Sequence, residues 1–221
     1  MLHPHGYRLS DRSEVAAFLP KEYKTVLEIG CSKGGFRANL NPTAEIWGVE
    51  PDEQAARQAS ARGYKVLTGY YEDVSDQCPD NYFDVVVCND VIEHMVDHDK
   101  FLADIKRKLR KHGHLVGSIP NVRHFGNLFR LLIGKDWRYE DQGVLDRTHL
   151  RFFTKKSLQR TFSANGYVIN EIKGINSDFG MPMRPRQLLR NTLLLIVIVM
   201  SFGYFSDIKN IQFGFRVELD N

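Results

Sequence analysis

Val26-Leu27-Glu28-Ile29-Gly30-Cys31-Ser32-Lys33-Gly34-Gly35-Phe36 is the stretch on which the fold of this 221-residue chain turns. A short apolar run carries one acid, turns at glycines and passes into the start of a helical pattern. That is how a β-strand feeds a tight loop and a helix N-terminus, where backbone N–H groups and the helix dipole face a ligand. Gly30 and Gly34 stand where a side chain would hold a ligand away from the backbone. The spacing is G-x-x-x-G and not the dinucleotide G-x-G-x-x-G, because Ser32 takes the middle position. Flavin and nicotinamide enzymes use glycine-rich turns too, so the owner of the loop has to be found in the rest of the chain.

Working outward, Thr25–Ile29, Glu45–Val49, Tyr64–Thr68, Phe83–Cys88 and His114–Ile119 read as strands. Phe83–Cys88 (F-D-V-V-V-C) is a nearly continuous apolar run, the mark of a strand buried on both faces of a parallel sheet. Helical patterns lie between them: a short one at Asp11–Leu19, one beginning at Phe36–Leu40, an alanine-rich one at Asp52–Arg62 and an amphipathic one at Asp97–Lys111. Five strands alternating with helices predict an α/β, doubly wound sheet with right-handed crossovers. After Pro120 the alternation breaks. Residues 121–151 are rich in arginine and aromatic residues, Thr154–Asn165 reads as a further helix, and Tyr167–Ile172 and Gln212–Leu219 read as two more strands. Between these last strands lies an insertion, about 176–210, holding the strongly apolar Leu188–Phe205.

Composition sets bounds. A hydrophobic content of 43% and a charged content of 26% are ordinary for one soluble globular domain. A net charge of +3 is too small to argue for nucleic acid. Cys31, Cys78 and Cys88 show no C-x-x-C pairing, so neither a disulfide framework nor a zinc site is expected. Free thiols, and an N-terminus without the apolar core of a signal peptide, lead to the expectation of a cytoplasmic protein.

In an open α/β sheet, ligands sit at the carboxyl ends of the strands. Glu50 ends the second strand, where an acid accepts hydrogen bonds from both ribose hydroxyls of a nucleotide. Gly69-Tyr70-Tyr71-Glu72-Asp73 follows the third strand, and Asn89-Asp90-Val91-Ile92-Glu93-His94-Met95 the fourth. His94 and His98 are four apart, but their neighbours Asp97 and Asp99 read as helix-start acids, and no metal is expected. Together, E-x-G-x-x-x-G, the second-strand acid and N-D-V-I-E-H resemble the class I S-adenosylmethionine (SAM)-dependent methyltransferases, specifically their broad small-molecule group. The likeness runs from Val26 to about Asn121, and more weakly through Leu219.

That resemblance implies a Rossmann-like sheet of about seven strands, mostly parallel with an antiparallel last strand, and S-adenosyl-L-methionine as cofactor. It places Glu28, Asn89 and Asp90 at the methionyl end, Gly30, Cys31 and Gly34 in the loop, Glu50 on the ribose, and Tyr71 and Glu72 by the adenine, with Tyr70 an equal candidate for stacking. Glu93 and His94 are expected to organise their loop. Residues 121–151 are expected to cap the acceptor, with His149 and His124 as candidate bases and Asp146 orienting His149. Arg123, Arg147 and Arg151 suit an anionic acceptor such as a nucleotide- or lipid-linked sugar. O-methylation of a small or glycan-type acceptor is the expectation, ahead of N-methylation, a nicotinamide oxidoreductase or a non-catalytic scaffold of a glycan-assembly complex. No N-P-P-Y-type segment follows the fourth strand, so no nucleic-acid partner is expected. Asn191–Ser206 is uncharged over 16 residues, fewer than the roughly 20 that span a bilayer. Burial in the core or in a homodimer interface is expected first, and peripheral contact with the inner face of a membrane second.

Overall fold

The computed structural model describes residues 11–177 and 185–219. Seven strands form one sheet: β1 (Thr25–Ile29), β2 (Glu45–Glu50), β3 (Lys65–Thr68), β4 (Phe83–Asn89), β5 (Leu109–Pro120), β6 (Tyr167–Ser177) and β7 (Asn210–Leu219). Their order is β3-β2-β1-β4-β5-β7-β6. β1 to β5 are parallel, and β7 runs antiparallel to both β5 and β6. β6 therefore points the same way as β5, and the expected arrangement, mostly parallel with an antiparallel last strand, is the one found. The reason is the connection. The chain passes through α6 (Lys155–Ala164) between β5 and β6, as in the earlier crossovers, and turns back only before β7.

Alternation along the strands divides the core. Leu27, Val86 and Leu115 face α4 (His98–Lys108) and α6, meeting Phe101, Ile105, Leu158 and Phe162. Their neighbours Val26, Val85, Val87 and Val116 face the other side, against Phe18, Phe36 and Ala59. That side is covered by short pieces: α1 (Ser13–Ala16), a 3₁₀ turn at Gly35–Asn39 and α2 (Glu53–Ser60). The helix expected to begin at Phe36 is only this turn; Pro42 stops it before a second turn can form. Caps fix the longer helices: the Asp52 carboxylate accepts from Ala55 N–H at 2.7 Å, and Asp97 from Lys100 N–H at 2.9 Å. Thr154 and Ser157 cap α6 reciprocally.

Two further helices lie beyond the sheet. α5 (Phe125–Leu132) forms within the expected cap, and α7 (Pro185–Met200) within the apolar insertion. Core burial of the insertion is corrected. Asn191 and Leu194 are the buried α7 residues among its described side chains, while Leu193, Leu195, Ile196, Val199 and Met200 are exposed. Phe202, just beyond, is fully exposed at 101%. Among the described residues no helix is long and apolar enough to cross a membrane.

Candidate active site

Strand register assembles the site. Ile29 pairs with Val49 on one side and Cys88 on the other, so the next residues along, Gly30, Glu50 and Asn89, stand side by side at the carboxyl end of the sheet. This is the switch point between β1 and β4, where the chain order reverses. Above it the glycine loop folds back on β2: Gly30 and Cys31 N–H both donate to the Val49 carbonyl, at 2.9 and 3.1 Å. Gly30 and Gly34 have φ of +70° and +73°, left-handed values that favour glycine. A Cβ on Gly34 would stand 3.0 Å from the Ala59 Cα, so the turn has no room for one.

Glu50 is buried and holds the loop in place. Its carboxylate accepts Ser32 N–H at 2.8 Å with one oxygen and Asp52 N–H at 2.9 Å with the other. Glu28, also buried, accepts from the Tyr64 hydroxyl. Desolvation raises its pKa to about 8, against the opposing hydrogen bond from Tyr64. Burial likewise pushes the Cys31 thiol up, so it lines the loop as an uncharged side chain. Both polar atoms of the Asn89 amide are buried without a hydrogen-bond partner. Asp90 differs: with φ of +54° it turns into a network, accepting from Arg12, Ser118 and Gln212 at 2.5 to 2.9 Å.

Glu28, Gly30, Cys31, Glu50, Asn89 and Asp90 border one cavity of about 760 Å³, walled also by Tyr70, Tyr71, Glu72, His94 and, from the cap, Arg147, Thr148 and Leu150; Gly34 packs against Ala59 and Tyr64, outside this lining. The two tyrosines divide their work. Tyr71 is 4% exposed, stacked edge-on against Phe101 with its hydroxyl given to Asp104, whereas the Tyr70 ring is 49% exposed at the rim. The more exposed ring is Tyr70's.

The cap residues are distributed differently from the expectation. The Arg123 guanidinium pairs with Asp207 at 2.7 Å and lies over the Phe205 ring, which ties the cap to the chain before β7. Arg151 donates to the backbone carbonyls of Leu150 and Val96. Neither lines the cavity; Arg147 does, with an exposed partner in Asp141. His124 stands at the N-terminus of α5, outside the cavity lining. Asp146 accepts the backbone and hydroxyl hydrogens of Thr148, and it is the Val144 carbonyl, 3.0 Å from Nδ1, that orients His149. Thr148 thus takes the Oδ1 oxygen of Asp146 with both its donors. The other nitrogen of His149 lies 3.9 Å from the buried Glu93 carboxylate, and the His94 ring is edge-on at 4.8 Å. The partner of His94 is thus His149, not His98.

Four residues at the site carried no motif: Arg12, Tyr64, Thr148 and Gln212. Arg12 and Gln212 meet at Asp90 from positions 78 before and 122 after it, and no local spacing announces contacts of that range.

The family model described as a methyltransferase domain matches residues 2–172. A ubiquinone biosynthesis O-methyltransferase of Aeromonas salmonicida is 28% identical over 162 residues, covering 69% of this chain and 66% of that protein. A probable S-adenosylmethionine-dependent methyltransferase of Mycolicibacterium smegmatis is 33% identical over 160 residues, covering 72% of this chain and 57% of that one. The chain thus spans less than two thirds of the length of either relative. The crystal structure of a SAM-dependent methyltransferase from Archaeoglobus fulgidus superposes with a TM-score of 0.63 at 16% identity, over 94% of this chain and 90% of that one, a likeness of fold.

Proposed function

Since the chain belongs to the class I SAM-dependent methyltransferases, we propose that it methylates a hydroxyl of a small-molecule acceptor, one that carries an anionic group such as the phosphate of a nucleotide- or lipid-linked sugar. The observation that supports this is the continuity of the cavity from Glu28, Glu50 and Asn89 to Arg147 and Thr148 of the cap. One end suits a nucleoside–amino-acid cofactor, and the other brings a guanidinium suited to phosphate or carboxylate.

The residues present fit S-adenosyl-L-methionine. The unpartnered Asn89 amide and the buried Glu28 suit its amino-acid end, the carboxylate of Glu50 stands at the end of β2 where a ribose would lie, and Gly30 brings backbone to the cavity wall. When bound, that cofactor supplies an electrophilic methyl on a sulfonium sulfur. The chain's work is then alignment and exclusion of water. A hydroxyl acceptor would be held in line with that methyl between the strand ends and the cap, and its proton would have to pass to a group or water in the cavity. Among the described residues, His94 is the imidazole bordering this cavity, while His149 turns its second nitrogen towards Glu93.

Calorimetric titration with SAM and with NAD, followed by transfer of a labelled methyl to phenol-, catechol- and sugar-phosphate-type acceptors, tests the proposal. SAM binding with label in an acceptor hydroxyl is expected. NAD binding in place of SAM would overturn it, and binding of neither would leave the scaffold reading.

We also propose that the protein rests on a membrane surface through α7, as an intracellular peripheral protein. The support is the row of exposed apolar side chains from Leu193 to Met200, continued by Phe202 and Tyr204 at 101% and 72% exposure. Co-flotation with anionic liposomes is expected and should be lost in Leu195→Asp/Ile196→Asp. A stable homodimer that does not float would assign the face to a second copy.

A further inference from the structure

We propose that Glu93, His94 and His149 form a binding site for one divalent first-row transition-metal cation, set between the switch-point turn and the cap. The three side chains each offer a ligand atom, and these atoms lie within 4.8 Å of one another. Two imidazoles and a carboxylate are a donor set for zinc, iron, cobalt or manganese, and three protein ligands leave positions open. The His149 nitrogen stands 3.9 Å from a Glu93 oxygen. Two ligands of one tetrahedral ion, with bonds of about 2.0–2.1 Å, sit roughly 3.3 Å apart, so side-chain settling is enough to close the site.

Two independent observations point to a ligand. First, the Glu93 carboxylate is 1% exposed, and neither of its oxygens has a hydrogen-bond partner. A buried acid is ordinarily paired or bound to a metal. Second, each imidazole is held by its other nitrogen in the way metal-bound histidines are: Nδ1 of His94 lies 3.1 Å from the Thr148 carbonyl, and Nδ1 of His149 3.0 Å from the Val144 carbonyl. Because a carbonyl only accepts, Nδ1 carries the hydrogen in both rings and Nε2 the lone pair. The backbone braces the same junction, since Leu150 and Arg151 N–H donate to the Glu93 carbonyl at 2.8 and 3.1 Å.

His94 also borders the cofactor cavity, so an open coordination position there would take an acceptor oxygen and make its hydroxyl more acidic. In that role His149 is a ligand and not a base. This role rests on the O-methylation proposed above; the cation site does not.

The test is a cobalt(II) titration of chelator-treated full-length protein, followed by d–d absorption and calorimetry, on wild type, Glu93→Gln and His149→Ala. SAM binding in chelator serves as a check on folding. Wild type is expected to bind one cobalt per chain with histidine-type absorption, and each variant to bind at least tenfold more weakly with SAM affinity unchanged. No saturable binding in wild type, or equal affinity in both variants, would overturn the site. If His149→Ala loses SAM affinity, Glu93→Gln decides. Methyl transfer that proceeds unchanged without metal while wild type fails to bind cobalt would sink the site and leave O-methylation standing. Cobalt binding without any methyl transfer would do the reverse.

Discussion

At the β1–β4 end of the cavity, Gly30, Glu50 and Asn89 arrive together because paired strands end together, and a neighbour in register cannot be elsewhere. Across the cavity, Arg147 comes from a loop held by long-range ties: Arg123 to Asp207, the Asn121 amide to the carbonyls of Asp207 and Asn210, Arg130 to Glu140. In the first region, backbone geometry delivers the side chains, and the Asn89 amide is left without a partner. In the second, side chains build the geometry, and most of those that look chemical are consumed in building it. A residue's type therefore says more about function at a strand end than in a cap.

The sharpest way to break this contrast is at the loop itself. Gly34→Val places a β-branched residue at φ +73° and a Cβ 3.0 Å from the Ala59 backbone. SAM affinity should fall more than a hundredfold, about 2.7 kcal/mol, by calorimetry. A loss under tenfold would mean that the ligand does not approach the loop backbone.

Next in size is a pH dependence centred on Glu28. Its pKa in the folded protein is raised from 4.5 to about 8. A raised acid stabilises the cofactor-free fold fully below the unfolded value, and that contribution fades as pH rises through the folded one. Thermal stability without cofactor should therefore decline between these two values. Holding a cationic ammonium requires the carboxylate, so SAM binding releases a proton and should tighten by about tenfold per unit from roughly pH 5.5 to 7.5. Glu28→Gln should flatten both slopes. Retention of the affinity slope in that variant would move the ammonium to another acid.

In the cap, the contrast predicts three unequal arginines. Arg147→Ala should raise the acceptor KM by about tenfold, roughly 1.4 kcal/mol, with SAM affinity unchanged. Arg123→Ala should lower stability by about 1 kcal/mol through its half-buried pair with Asp207, with no direct effect on the acceptor. Arg151→Ala should do neither. Equal KM changes at all three would restore the expectation of a shared anion site and undo the distinction between the two regions.

Where the sequence was informative follows the same line. Apolar runs of β-type residues such as Phe83–Cys88, and a glycine turn after an acid, are local signals, and they carried the sheet, the switch point and the residues at the strand ends. The pairing of Arg123 with Asp207 was not local; 84 residues separate the two. The burial of α7 was not legible either, since an apolar helix reads alike whether the chain covers it or leaves it exposed. In the site, Asn89 and Glu50 could be named from position. His149 could be named from type, but its neighbours Glu93 and His94, 56 and 55 residues away, could not be assigned to it from spacing.

Ser32, the one departure from the dinucleotide glycine pattern, gives the smallest and finest test. It adopts φ +49°, so the loop demands glycine-like backbone of a residue with a side chain. Its N–H still holds Glu50, while its hydroxyl oxygen is buried without a hydrogen-bond partner. Ser32→Gly removes the left-handed strain, about 1–2 kcal/mol, and the orphaned hydroxyl, against a gain in unfolded-chain freedom of roughly 0.5–1 kcal/mol. The cofactor-free protein should become more stable by about 1 kcal/mol, measured by urea denaturation. SAM affinity should fall by less than tenfold, because at most one hydrogen bond of about 0.5–1.5 kcal/mol is lost. A gain in stability with no loss of affinity would show that the hydroxyl is unused in either state. A loss well beyond tenfold would show a side chain doing at the loop what the backbone is expected to do there, and the cofactor half would then resemble the cap.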